Sequence, residues 1–491
     1  QCTAHRRIYD RCQVITSLLV KMRKSLISKS FLFYSCFFGK KIIHLQAESS
    51  IFNNSSSRQS WQKDSKCQES IYHTYFLNKI KKIPMQTFLD NILYKLFIFT
   101  ITFGVIFHDV IGFKSIDEIC GLCLFIIFLF SLFQSKDWNI NKVFLFTLFV
   151  FSFYLCYSLW ISSNSKKGIL MDLVIQMKPY LAFFCMYQLK PKFSDSLRLL
   201  LKQLMLLFWF ILLPIGLIDI IIPHTISAIM VHPTYFAGAI TAISLTYLYA
   251  SDYTKKDKII FLAMLTIGLV SGRSKFYGFY ALSTFVILYF ENPNNLKLNI
   301  KNISILTCTT AIIIFVAREK LMLYFGQGIM NEEEGASIAR FVLYATSLNI
   351  FIDYFPFGCG LGSFATHASG YYYSPIYAQY GIDQVWGISK NDWSFIADTY
   401  YPSLAQFGII GVVLFISFWF YLLRKSYKIF SETQETKVFA LVLLITGYCL
   451  IENIADASFT SNRGFFMLMF LGLILSNKVG PEAKTIQPVI K

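Results

Sequence analysis

The stretch IDEICGLCLFIIFLFSLF, Ile116–Phe133, decides what kind of protein this is. From Ile119 to Phe133 it carries no charged side chain. A bilayer core of about 30 Å takes about 20 such residues in a helix. Cys120 and Cys123 form a CxxC inside this run, where burial in a span accounts for them better than redox work. Comparable apolar runs recur from about residue 89 to about residue 476. Hydrophobic residues fill 55% of the 491 positions and charged residues only 15%, which excludes a soluble core of ordinary proportions. The 50 Phe and 29 Tyr suit lipid-facing helices and aromatic belts. The fold class is therefore all-α, a polytopic membrane protein of about twelve transmembrane helices.

The formal charge of +17 is unevenly placed, because residues 1–84 alone contribute +11. That segment contains the polar run SSIFNNSSSRQSWQKDSKCQES and one apolar patch, FLFYSCFF, too short to span. Met85 opens MQTFLDNILYKLF, which reads as a natural start before a first helix. Residues 1–84 are expected to be an upstream extension of the reading frame, a disordered tail, or a basic tail on an anionic membrane surface. Four of the 11 cysteines fall there, and no cysteine spacing indicates a metal site or a disulfide framework.

Lys/Arg clusters recur in alternate connections, among them SDYTKKDK and RKSYKIFSETQETK, and place those connections and both chain ends in the cytoplasm. Residues 85–480 form the transmembrane body and 481–491 a cytoplasmic tail. Outer connections are short except for residues 318–397, between the ninth and tenth predicted spans. A structureless loop of that length is uncommon unless functional. Within it, Ile338, Phe341, Val342, Ala345, Leu348 and Ile352 follow helical spacing, with Arg340, Tyr344 and Ser347 on another stripe. The spacing predicts an amphipathic helix against the outer leaflet or the bundle, stopped at Pro356, with Gly358, Gly360 and Gly362 allowing a tight turn.

Basic residues on the outer side run against the charge bias and need a reason. Arg273 and Lys275 lie between the seventh and eighth spans, Arg318 and Arg340 in the large loop, and Arg463 before the last span. Arginine offers a rigid fork of donors suited to phosphate, so several at one boundary could hold a lipid diphosphate. The alternative is that each anchors at the interface or pairs with an acid such as Glu332 or Asp353. Lys178, inside an apolar run, is costly unless it meets a phosphate, snorkels, or pairs with Asp172. His232 could move protons near neutral pH or be structural, and the same holds for His367. Asp398 could act as a general base on a sugar hydroxyl with Tyr400 and Tyr401 stacking on the sugar; alternatively it caps a helix beside belt aromatics. GCGLG, 358–362, follows no strand and is no nucleotide fingerprint. No Walker A, HExxH, GxSxG or metal-spaced carboxylate cluster occurs, so neither a cofactor nor a nucleic-acid partner is expected.

Three features resemble the O-antigen polymerase and O-antigen ligase superfamily: SGRSKF after the seventh span, the arginine-headed helix ending in DYFPFGCGLGSF, and DTYYPSLAQFGIIG leading into the tenth. The resemblance covers residues 85–480. It implies a GT-C-like, metal-independent membrane glycosyltransferase whose donor is an undecaprenyl-diphosphate-linked glycan, with Arg273 and Arg340 stabilising the departing diphosphate. It also implies the lipid bilayer and a chain-length regulator as partners. Ligases of this family carry a histidine element before the Gly-x-x-Gly helix, where this chain has Phe395, Ala397 and Asp398. That departure favours a repeat-unit polymerase, with Asp398 as a substitute base and a ligase as the nearest rival. A twelve-span transporter is a third reading, although its long connection is expected between spans six and seven rather than after nine.

Overall fold

The computed structural model describes residues 85–112, 115–135, 140–290 and 339–476, with isolated positions between 294 and 304. The segment 1–84, the predicted ninth span, Arg318, Glu332 and the tail 481–491 lie outside the described residues. Among the described residues the longer helices are α1 (Met85–Phe99), α2 (Ile116–Gln134), α3 (Lys142–Ile161), α4 (Lys166–Leu189), α5 (Asp195–Ile221), α6 (Pro233–Ala250), α7 (Lys255–Thr266), α8 (Ser274–Tyr289), α9 (Ala339–Asp353), α10 (Gly408–Thr433), α11 (Thr436–Glu452) and α12 (Asn462–Ser476). No strand occurs among the described residues. Six helical segments there are long and apolar enough to cross a membrane: Gln86–Ile106, α2, α3, α4, α5 and Tyr401–Thr433, while α12 is apolar but shorter. This is a helical membrane protein.

Local sequence fixes where these helices begin. Asn141 accepts from the Val143 amide at 2.8 Å to start α3, Ser165 caps α4, and Thr254 with Asp257 forms a capping box on α7. The apolar sequence then divides between two environments. One continuous core runs through every one of these helices except α9, with α12 packed most extensively along α4. Phe133, Phe146, Phe149, Phe210, Ile221 and Phe420 point outward and stay exposed, which in a membrane is the lipid face.

Residues 339–407 form a separate layer with its own small core of Leu343, Ile350, Phe364, Tyr377, Ile388 and Ile396. The predicted surface helix exists as α9, but its buried face is not the expected stripe. Ala339, Val342, Leu343, Thr346, Ser347 and Ile350 are buried, whereas Leu348 and Ile352 are 64% and 75% exposed. The reason is the surroundings on each side: Tyr344 finds its partner at the end of the bundle and Arg340 in Asp398 of the same layer, so Leu348 and Ile352 on the other side are left outward. Tyr344 donates to the Ile454 carbonyl at 2.8 Å.

The glycine turn is built into the bundle. Its three glycines have φ of +80°, +85° and +70°, values that side-chain-bearing residues rarely adopt. Asp172 on α4 accepts from the Gly362 amide at 2.8 Å and from Gln406 Nε2 at 3.0 Å, and Gln406 Oε1 in turn accepts from the Ser363 amide at 2.8 Å. Ser158 on α3 accepts from the Leu361 amide at 2.8 Å, and Tyr157 donates to the Gly358 carbonyl at 2.9 Å. These amides are engaged by protein groups, so GCGLG has none to offer a phosphate at those positions. A Cβ on Gly358 would sit 2.3 Å from the Ala405 carbonyl oxygen and 2.3 Å from the Gly408 nitrogen. Gly358→Ala is therefore expected to destabilise the protein by about 2–4 kcal/mol, read as a lower thermal midpoint in detergent.

Candidate functional site: an ion cluster beside a polar chamber

Seven charged residues from five parts of the chain gather at the end of the bundle that carries α9. Arg340 pairs through both Nε and a terminal nitrogen with one oxygen of Asp398, and its guanidinium lies 5.5 Å from the centre of the Phe395 ring. Lys275, in the first turn of α8, reaches Glu452 at 2.7 Å and the Ala455 carbonyl at 3.1 Å. Arg463, buried at the start of α12, bonds Asp456 at 2.7 Å and lies 5.2 Å from the Tyr235 ring. Arg273, just before α8, instead meets the His232 ring nitrogen at 2.8 Å.

Four cations and three carboxylates thus form the cluster, and the pairing is selective. Lys275, Arg340 and Arg463 each contact an acid; Arg273 contacts none among the described residues. Loss of solvent around the His232 ring, followed by the Arg273 charge, lowers its proton affinity below the ordinary histidine value. A neutral imidazole can accept from Arg273, so the contact leaves the guanidinium charge uncompensated. Burial raises the Asp398 carboxyl above the ordinary range, with Arg340 offsetting only part of the effect. For Asp456 burial acts in the same sense, but the Arg463 and Lys275 charges reverse it and hold the carboxyl low.

Next to the cluster lies a chamber of about 600 Å³. Ala397 and Ala457, the chain neighbours of Asp398 and Asp456, form part of its wall, with Glu118, Gln176, Lys178, His367 and Tyr400 elsewhere on it. A second, apolar cavity of about 220 Å³ runs between α3, α4 and α10, lined by Val150, Phe151, Phe415 and Phe418. Gln176 and Tyr400 line both spaces. A polar room and an apolar groove therefore meet at these two side chains.

The structure brings His232, Arg273, Lys275, Arg340, Asp398 and Arg463 together, six of the residues singled out from sequence. Lys178 belongs to the chamber, but its partner is not Asp172. It contacts Asp117 and, at 2.8 Å, Glu118, both in the first turn of α2. Asp172 is taken by the glycine turn, and two carboxylates on Lys178 make it a poor phosphate ligand. Arg340 likewise pairs with Asp398 rather than with Asp353, which accepts from Tyr380 at 2.7 Å. Tyr400 faces the chamber, whereas Tyr401 turns away, donates to the Leu450 carbonyl at 2.6 Å and packs on Phe415. Tyr401 is thus an anchor and no sugar platform. Sequence reading missed Glu452, Asp456, Asp117 and Glu118. Their signal was present, since acids at the ends of apolar runs opposite unexplained cations invite pairing. No group of His, Cys, Asp and Glu suited to a metal ion occurs among the described residues. No protein-family model matches this chain, and no curated protein matches it.

Proposed function

We propose that the protein is a membrane glycosyltransferase of about twelve spans. It extends a bacterial surface polysaccharide at the outer face of the cytoplasmic membrane. The reading is a repeat-unit polymerase that moves a lipid-diphosphate-linked glycan chain onto the next lipid-linked repeat unit. The observation that carries it is the junction at Gln176 and Tyr400, where an apolar groove meets a polar chamber bordered by cations. An amphiphile with a long hydrocarbon chain and a sugar head matches such a pair of spaces. The motifs SGRSKF and DYFPFGCGLGSF supply the remaining support.

In this reading the acceptor repeat unit lies with its lipid in the groove and its sugars in the chamber, and the donor's diphosphate lies against Arg273, which lines neither space. As the bond from the anomeric carbon to the diphosphate breaks, negative charge grows on the leaving oxygens. A guanidinium without a carboxylate of its own meets that charge best. Arg340, clamped by Asp398 over Phe395, adds a second positive site whose position is fixed before substrate arrives. Asp398 is therefore better assigned to holding Arg340 than to accepting a proton, because both contacting nitrogens of Arg340 converge on one of its oxygens. The donor's diphosphate linkage supplies the driving force.

Deletion of the gene tests the reading through the surface glycan. Single repeats capped onto the final acceptor are the expected pattern and identify a lost polymerase. Accumulated lipid-linked polymer would assign a ligase, and lipid-linked single repeats retained at the inner face would assign a flippase.

A further inference from the structure

Lys178 has one charge and two acidic neighbours. Asp117 makes the closer contact, and both of those groups are nearly enclosed, with side chains 3% and 9% exposed. Asp117 is therefore the counter-ion of Lys178. Glu118 is the second acid on Lys178 and the one that reaches the chamber. Its side chain is 40% exposed and lines the chamber, with Oε1 held by Lys178 at 2.8 Å and Oε2 enclosed. Among the described residues lining the chamber, Glu118 is the sole carboxylate.

We propose that Glu118 is the general base of the transfer reaction, with Lys178 and Asp117 as its positioning residues. The proposal rests on the glycosyltransferase reading and adds a proton acceptor to it. A sugar hydroxyl of the incoming repeat unit donates its hydrogen bond to Glu118. As that oxygen bonds to the anomeric carbon, its proton passes to the carboxylate. The bond from the anomeric carbon to the diphosphate breaks, and its electron pair leaves on the diphosphate oxygen towards Arg273. The protonated Glu118 then returns its proton to water at the chamber mouth. Lys178 and Asp117 hold the carboxylate at the chamber wall, where the incoming hydroxyl meets it. The other groups on the helices packed around the pair fit this account: Asn462 on α12 accepts from the Asp117 amide at 3.3 Å, and Gln176 on α4 is uncharged. Tyr400 and His367 are the other ionisable groups on the chamber wall; His367 is exposed and packs against the Trp393 ring at 5.2 Å.

The test uses the full-length protein in lipid nanodiscs and, as substrate, lipid-linked repeat units extracted from the deletion strain. Chain extension is followed from acid to neutral pH. Glu118→Gln is expected to lower kcat by about 10²–10⁴-fold at nearly constant KM and to remove the acid limb of the pH profile. Glu118→Asp keeps the charge and the Lys178 partner and is expected to recover part of kcat with the acid limb restored. Asp117→Asn, which removes an equal charge, is expected to shift that limb and keep it. A wild-type kcat and acid limb in Glu118→Gln, alongside an active wild type, would overturn the role of Glu118 and leave the polymerase reading standing. That role also falls if His367→Ala removes the acid limb while Glu118→Gln keeps it. Should Glu118→Gln fail to fold, a Glu118→Ala protein that folds and keeps the wild-type kcat and acid limb would overturn it as well. An inert wild type would overturn both the role and the polymerase reading.

Discussion

On the polymerase reading, replacing Arg273 with alanine is expected to stop chain growth while leaving the protein folded in the membrane. Loss of one fixed donor to a developing negative charge typically costs about 10²–10³ in rate. Folding should survive because no carboxylate among the described residues depends on Arg273 for neutralisation. Its partner His232 has a lowered proton affinity and so carries no charge that needs an arginine. The check is paired: glycan length in the complemented deletion strain, and the amount of tagged protein in the membrane fraction. Normal chain length at normal protein level would remove Arg273 from the reaction.

Arg463→Ala is expected to fail in the opposite way. Arg463 is 7% exposed, bonds Asp456 at 2.7 Å and lies 3.9 Å from Glu452. Removing it leaves two enclosed carboxylates with Lys275 as their only cation among the described residues, and breaking a buried pair in this way costs about 3–5 kcal/mol. Loss of protein from the membrane, or a large drop in thermal midpoint in detergent, is the expected readout. A variant as stable as wild type, with only its activity lost, would show that Arg463 serves substrate rather than structure. The two arginines look alike in sequence, each at a helix start, and only their partners separate them.

That contrast marks what the sequence could and could not reveal. Apolar run length identified helices able to span a membrane, and glycine with proline identified the turn after α9, because both depend on local backbone physics. Charge against the topological bias drew attention to Arg273, Lys275, Arg340 and Arg463. Which acid each one meets was not legible, since Arg340 and Asp398 are 58 positions apart and Lys178 and Glu118 are 60 apart. The expected face of α9 failed for a related reason. Helical periodicity finds an apolar stripe, but a membrane offers apolar surroundings on the side that water would occupy in a soluble protein. Leu348 and Ile352 therefore stay outward while Arg340 and Tyr344 turn in. Tyr400 and Tyr401 show the same limit at shorter range, as adjacent tyrosines with one on the chamber wall and the other bonded into α11.

The contact between Gly358 and Gly408 constrains how this chain can vary over time. A Cβ on Gly358 would lie 2.3 Å from the Gly408 nitrogen, and one on Gly408 would lie 2.4 Å from the Gly358 nitrogen. Each residue is the other's obstacle, so neither gains room if the other is already as small as an amino acid can be. No second substitution at the partner position can rescue the first. Single substitutions at either position are therefore blocked, and room can come only from moving the backbone segments that meet there. The glycine turn and the start of α10 are in that sense inherited as one piece.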